Sequence, residues 1–182
     1  MANICVFSFS SEDVDEIYFK VARETGKLIG RRGYNLVYGG VDLGGMKEVA
    51  YGAREEGAEV IGILPLVFQN HPNRMNEAVF VDTLHHRKAE MEARSDAFIA
   101  LPGGHGTLDE LAGVIETRQV KAHDKPIVIA NTNNFYRYLL AHFEHVYKNN
   151  FVRGGGNRKL YEVVNTPQEA IDYIEERLSR NS

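Results

Sequence analysis

Residues 97–110 read Ala97-Phe98-Ile99-Ala100-Leu101-Pro102-Gly103-Gly104-His105-Gly106-Thr107-Leu108-Asp109-Glu110. The first five are apolar without alternation, the pattern of a strand buried on both faces. Beyond the glycines, Leu111, Val114, Ile115 and Val120 can share one side of a helix. A strand that runs through glycines into a helix start leaves backbone N–H groups free at the positive end of the helix dipole. Phosphate binds at such places. A carboxylate, Glu110, follows four residues past the last glycine, so the chemistry is expected beside a bound phosphate.

The same grammar extends in both directions along the chain. Strands are expected at Asn3–Phe9, Tyr34–Tyr38, Glu59–Leu64, Ala78–Val81, Ala97–Leu101, Ile127–Ala130 and Leu160–Val164. Helices are expected at Val14–Arg32, Gly45–Glu56, Leu84–Ser95, from Thr107 onward, and at Tyr136–Asn149. A last helix opens at Thr166-Pro167-Gln168-Glu169, which supplies an N-cap, a proline at the first helical position and a glutamate at the third. Strands alternating with helices, the strands continuously apolar, imply a doubly wound, mainly parallel α/β sheet with helices on both faces. Ligands of such sheets bind beyond the carboxyl ends of the strands. Gln69–Asn76, polar and containing Pro72, reads as a loop able to cover the site, and Arg153–Arg158 as a surface turn.

Composition narrows the class. At 182 residues the chain reads as one domain, 1–182, with a single sizeable core. The net charge of −4, with both signs mixed, gives no broad basic surface for nucleic acid, so anion binding must be local. Cys5 is the only cysteine, which excludes an intrachain disulfide and zinc-type cysteine pairs. Met1–Phe7 lacks the basic start of a signal peptide, and no apolar run approaches the roughly 18 residues that span a bilayer. A cytoplasmic protein with no membrane partner is expected.

The glycine loop lacks the lysine of a P-loop and the third glycine of the dinucleotide fingerprint, which points to a monophosphate. A purely structural alternative stands beside this: Thr107-Leu108-Asp109-Glu110 has the form of a capping box. A second loop, Gly39-Gly40-Val41-Asp42-Leu43-Gly44-Gly45-Met46, repeats the strand–loop–helix pattern, or is simply a tight turn with close packing. In His85-His86-Arg87-Lys88-Ala89-Glu90-Met91, Arg87 and Met91 share a helix face, as do Lys88 and Glu92. That helix could be an exposed one laced with weak ion pairs, or could aim Arg87, a fixed fork of donors, at the glycine loop.

Together, Arg87-Lys88-Ala89-Glu90-Met91, Ser95–Ala100, Pro102–Glu110, Gln119 and His123-Asp124-Lys125-Pro126 resemble the Lonely Guy family of cytokinin riboside 5′-monophosphate phosphoribohydrolases, often misannotated as lysine decarboxylases. The resemblance implies a Rossmann-like, three-layer nucleotide-binding fold and a homodimer or higher homo-oligomer. It implies hydrolysis of a nucleoside 5′-monophosphate, AMP or an N6-modified AMP, to free base and ribose 5-phosphate, with no cofactor and no metal. By the same resemblance Arg87 and Glu110 are catalytic. Gly103, Gly104, Gly106 and Thr107 hold phosphate, and Lys88, Met91, Gly39, Gly40 and Ser10 line the substrate pocket. The chain departs from the family at Phe9, where a glycine is usual, at Val41, at Gly44-Gly45-Met46-Lys47 and at Glu116-Thr117. Glu110, read as lying in the first helical turn, is expected to be ionised.

Three other readings compete. A carrier of a nucleotide or of molybdenum cofactor would use the same loop without reaction. Lysine decarboxylation would need a pyridoxal phosphate lysine in a recognisable setting, and none is present. His142 and His145 share a helix face but form no His-Glu-x-x-His motif.

Overall fold

The computed structural model describes residues 1–68, 75–153 and 159–180. Seven strands, β1 (Asn3–Phe7), β2 (Asn35–Tyr38), β3 (Val60–Pro65), β4 (Glu77–Val81), β5 (Ala97–Ala100), β6 (Ile127–Ala130) and β7 (Glu162–Val164), alternate with six helices. The helices are α1 (Glu16–Arg31), α2 (Gly44–Glu55), α3 (Leu84–Ala93), α4 (His105–Gln119), α5 (Arg137–Lys148) and α6 (Pro167–Ser179). Every strand and helix expected from the sequence is present, with ends displaced by at most two residues. The expected covering loop and surface turn lie largely outside the described residues, at 69–74 and 154–158.

All six pairings are parallel, in the order β4-β3-β2-β1-β5-β6-β7. The chain winds one way from β1 to β4 and the other way from β5 to β7, so the order reverses between β1 and β5. This is the switch point at which doubly wound sheets bind ligands.

Strand periodicity divides the core. Ile4, Val6, Leu36, Tyr38, Ile99 and Val128 face a cluster with Ile29 of α1, Val49 of α2 and Ile171 of α6. Cys5, Phe7, Val37, Phe98, Ile127 and Ile129 face Met91 of α3 and Leu111 and Val114 of α4. Successive residues thus point to opposite faces; β1, β2, β3, β5 and β6 are buried on both, while the edge strands β4 and β7 are partly exposed. The continuous apolar runs have their cause in this three-layer arrangement.

One contact fixes the first layer. A Cβ on Gly26 of α1 would lie 2.1 Å from the Val49 carbonyl oxygen of α2, and one on Gly52 of α2 would lie 2.1 Å from that of Arg23. The two helices therefore touch backbone to backbone. At the last helix the capping box is complete: the Glu169 amide donates to Thr166 Oγ1, and the Glu169 carboxylate accepts from the Thr166 amide.

Candidate functional site

Two loops meet at the switch point, one leaving β1 and one leaving β5. The β5 loop is anchored at its start, where the Leu101 amide donates to Phe7 O and the buried Tyr136 hydroxyl donates to Leu101 O at 2.6 Å. Helix α4 then begins at His105, with Gly104 as N-cap and no side-chain cap. The capping-box alternative is therefore overturned: Thr107 is the third helical residue, and Glu110 lies in the second turn. Thr107 Oγ1 is tucked against Gly103, only 2.1 Å from where a Cβ would be. Glu110 turns away from the helix end to accept from Arg87 Nη2.

Gly104 and Gly106 are exposed, and a Cβ on either would meet nothing within 4 Å. The protein's own packing gives no reason for glycine there. What their smallness does provide is close backbone approach for something outside the chain. The uncapped N-terminus of α4 and its two bare glycines have the geometry at which helix N-termini take anions.

The second glycine loop is different. The N-terminus of α2 is filled by the protein itself, because the Gly44 amide donates to Glu12 Oε1 at 2.8 Å and the Met46 amide donates to Phe9 O. That backbone hydrogen bond, with Lys47 nearby, holds the Glu12 carboxyl below its ordinary value. Gly40, at φ +77°, packs on Leu64, while Gly39 makes room for Arg87 Nη1 and Met46. Neither Gly39 nor Gly40 lines the cleft. The turn-and-packing alternative describes this loop better than an anion site.

The cleft has a volume of about 470 Å³, within the range of small-molecule sites. Gly104, His105, Gly106, Thr107, Arg87 and Glu110 form its polar end. Phe9, Val41, Leu43, Met46 and Phe68 form an apolar wall. Ser10 lines it, as expected; Met91 does not, being buried in the core below α3. Lys88 lies outside it and pairs with Asp109 at 2.7 Å rather than with Glu92. Phe9 is packed inward, edge-to-face on Phe19 and beneath Gly45. Ser8, which the sequence reading missed, reaches the cleft floor with a buried hydroxyl that has no partner among the described residues.

Arg87 and Glu110 are both largely shielded from water, at 14% and 8% side-chain exposure. Burial pushes the Glu110 carboxyl up to about 7, and the neighbouring Arg87 guanidinium pulls the other way. The expectation that a place in the first helical turn keeps it ionised is corrected on both counts: Glu110 lies one turn deeper, and desolvation outweighs its charged neighbours. Arg87 Nε is buried without a partner among the described residues. On its far side Glu110 borders a smaller cavity of about 210 Å³ that includes Glu116 and Thr117.

A parallel sheet whose order reverses at its centre, covered by helices on both faces, defines a Rossmann-like, three-layer α/β class of protein. Within that class the chain belongs to the Lonely Guy (LOG) family of phosphoribohydrolases. Residues 46–174 match the family model described as "Possible lysine decarboxylase". The chain is 39% identical over 176 residues to the "Probable cytokinin riboside 5′-monophosphate phosphoribohydrolase LOGL2" of Oryza sativa subsp. japonica, covering 95% of this chain and 72% of that one. It is 35% identical over 175 residues to the corresponding LOG5 enzyme of Arabidopsis thaliana, covering 94% and 76%. Among solved structures, the molybdenum cofactor binding protein of Rippkaea orientalis superposes with a TM-score of 0.74 at 25% identity, over 97% of each chain.

Proposed function

We propose that the protein hydrolyses the N-glycosidic bond of a nucleoside 5′-monophosphate, AMP or an N6-modified AMP, releasing the free base and ribose 5-phosphate. The observation that carries this reading is the placement of the Glu110–Arg87 pair beside the uncapped N-terminus of α4 in one cleft. The phosphate sits on the amides around Gly104 and Gly106 and on Thr107, and the base lies toward the apolar wall. C1′ then falls near Glu110. The names of the relatives, which specify cytokinin riboside 5′-monophosphates, support an adenine base bearing an N6 substituent.

Cleavage of the bond leaves positive charge on the ribose. The base departs with the bonding pair, and Glu110 in its ionised form stabilises the cation electrostatically. A carboxyl near neutrality also suits removal of a proton from the water whose oxygen joins C1′; that proton balances the one the base takes up. Arg87 orients Glu110 and offers its remaining donors to the ribose oxygens. A homodimer or higher oligomer and a cytoplasmic setting form part of this proposal. Among the described residues no helix is long and apolar enough to cross a membrane.

A carrier role is the second reading, favoured by the likeness to the molybdenum cofactor binding protein. One experiment separates the two. Purified protein is incubated with AMP and prenylated AMP, and free base is measured for the wild type and Glu110→Gln. Release by the wild type, with a loss of roughly a hundredfold or more in the variant but retained nucleotide binding, supports the hydrolase. Tight binding with no base released by either protein supports the carrier.

A further inference from the structure

Next to the cleft, on the other side of Phe9, lies a second cavity of about 240 Å³ that shares Phe9, Ser11 and Gly104 with it. Its remaining walls are apolar and aromatic, chiefly Val14, Tyr18 and Phe135. Tyr18 and Phe135 meet edge-to-face with ring centroids 5.7 Å apart. Phe135 is 41% exposed, and it follows two asparagines, Asn133 and Asn134, held in the left-handed region at φ 52° and 57°. Phe135 thus presents a partly open ring at the rim of this cavity.

The position of this cavity determines what can reach it. Gly104 and Glu110 are six residues apart along α4, about 9 Å of helix rise. A nucleotide with its phosphate at Gly104 and its C1′ at Glu110 runs away from Pro102 and Gly103, which line the second cavity, and its base goes to the Val41, Leu43, Met46 and Phe68 part of the wall rather than to Phe9. Only a group attached to the phosphate itself can enter. The seat for that phosphate is made of neutral amides and a threonine hydroxyl. Arg87 is the one lysine or arginine among the described lining residues of the cleft, and Glu110 engages it. Such a seat does not require a dianion; a phosphodiester, with one negative charge, suffices.

We infer that the site accepts nucleoside 5′-phosphodiesters in which a flat aromatic group esterified to the phosphate fills the second cavity and packs against the Tyr18–Phe135 pair that walls it. The reaction is otherwise unchanged: the bond between C1′ and the base breaks, water's oxygen joins C1′, its proton ends on the base, and the diester leaves intact on the ribose. This rests on the hydrolase reading above, so the test measures binding as well as turnover.

Three probes are used: AMP, its 5′-phosphate methyl ester and its 5′-phosphate phenyl ester. Each is assayed for base release and, by calorimetry, for affinity. The phenyl ester is expected to bind at least five times more tightly than the methyl ester. Phe135→Ala should reduce that advantage by about five- to tenfold, the scale of one aromatic contact, while AMP stays within twofold of wild type. Phe135→Leu, which keeps most of the volume, should fall between. Equal binding of the two esters, or equal loss for AMP and phenyl ester in Phe135→Ala, overturns the inference. Absence of base from AMP refutes the hydrolase reading instead, and the affinities still decide the fate of the aromatic subsite. Base released from AMP but not from a phenyl ester that binds well shows that the ester is not a substrate and also overturns it.

Discussion

Glu110 and Arg87 lie 23 residues apart in sequence, and each holds the other in a condition it would not have alone. The carboxylate is buried, so its proton leaves only near pH 7; the guanidinium keeps it from leaving later still. If the ionised carboxylate does the chemistry, kcat/KM of the wild type should rise with pH through about 7, and this limb should be absent from the residual activity of Glu110→Gln. Arg87→Ala removes the counter-charge while leaving the burial. In that variant the limb should move to higher pH, and kcat/KM at pH 7 should fall roughly a hundredfold or more. A limb that stays near 7 without Arg87 assigns it to another group. The resemblance to the family singled out both residues, but not their electrostatics. Thr107 and Glu110 have capping-box spacing, and local sequence offered no sign that Thr107 would be taken by Gly103 and Glu110 by an arginine on another helix.

At the level of elements, strands and helices were readable to within two residues, because full burial on both faces leaves the central strands β2, β3, β5 and β6 little choice but apolar residues. The error at the start of α4 had the same source as the capping-box error: a threonine looked a better N-cap than Gly104, yet Gly104 holds that place with no side-chain cap, as the proposed phosphate seat requires. Gly104→Ala tests this directly. Its Cβ meets nothing in the protein, so urea unfolding should shift by no more than about 0.5 kcal/mol, while affinity for AMP by calorimetry should drop severalfold. A large stability loss with unchanged affinity contradicts the anion seat. Gly26→Ala should behave in the opposite way. Its methyl group would strike the backbone of α2 at Val49, and overpacking of that kind destabilises by about 1–3 kcal/mol in the same urea experiment.

Taken over the whole molecule, the cleft is built from the segments after β1, β2, β3 and β5 and from helices α2, α3 and α4. Sheet order gathers residues as distant as Ser8, Met46, Phe68 and Glu110, which is why Ser8, Leu43 and Phe68 escaped a reading along the chain. The burial of Glu110 also has a global effect. A carboxyl that ionises near 4.5 when unfolded and near 7 when folded binds its proton more tightly in the folded state. Stability should therefore be highest in this respect below pH 4.5 and decline as pH rises toward 7. Glu110→Gln removes that slope. Urea unfolding at pH 5 and pH 8 should show the wild type losing stability relative to the variant across the interval; parallel behaviour of the two proteins excludes a raised carboxyl. The packing of Gly26 on Val49 and of Gly52 on Arg23 reaches further than its own two helices. Since α1 and α2 are in register through bare main chain, the loops springing from their leading ends keep a constant separation, whatever side chains those loops carry. The spacing of the two loops that enter the cleft after β1 and β2 thus answers to two helix positions at which no side chain stands.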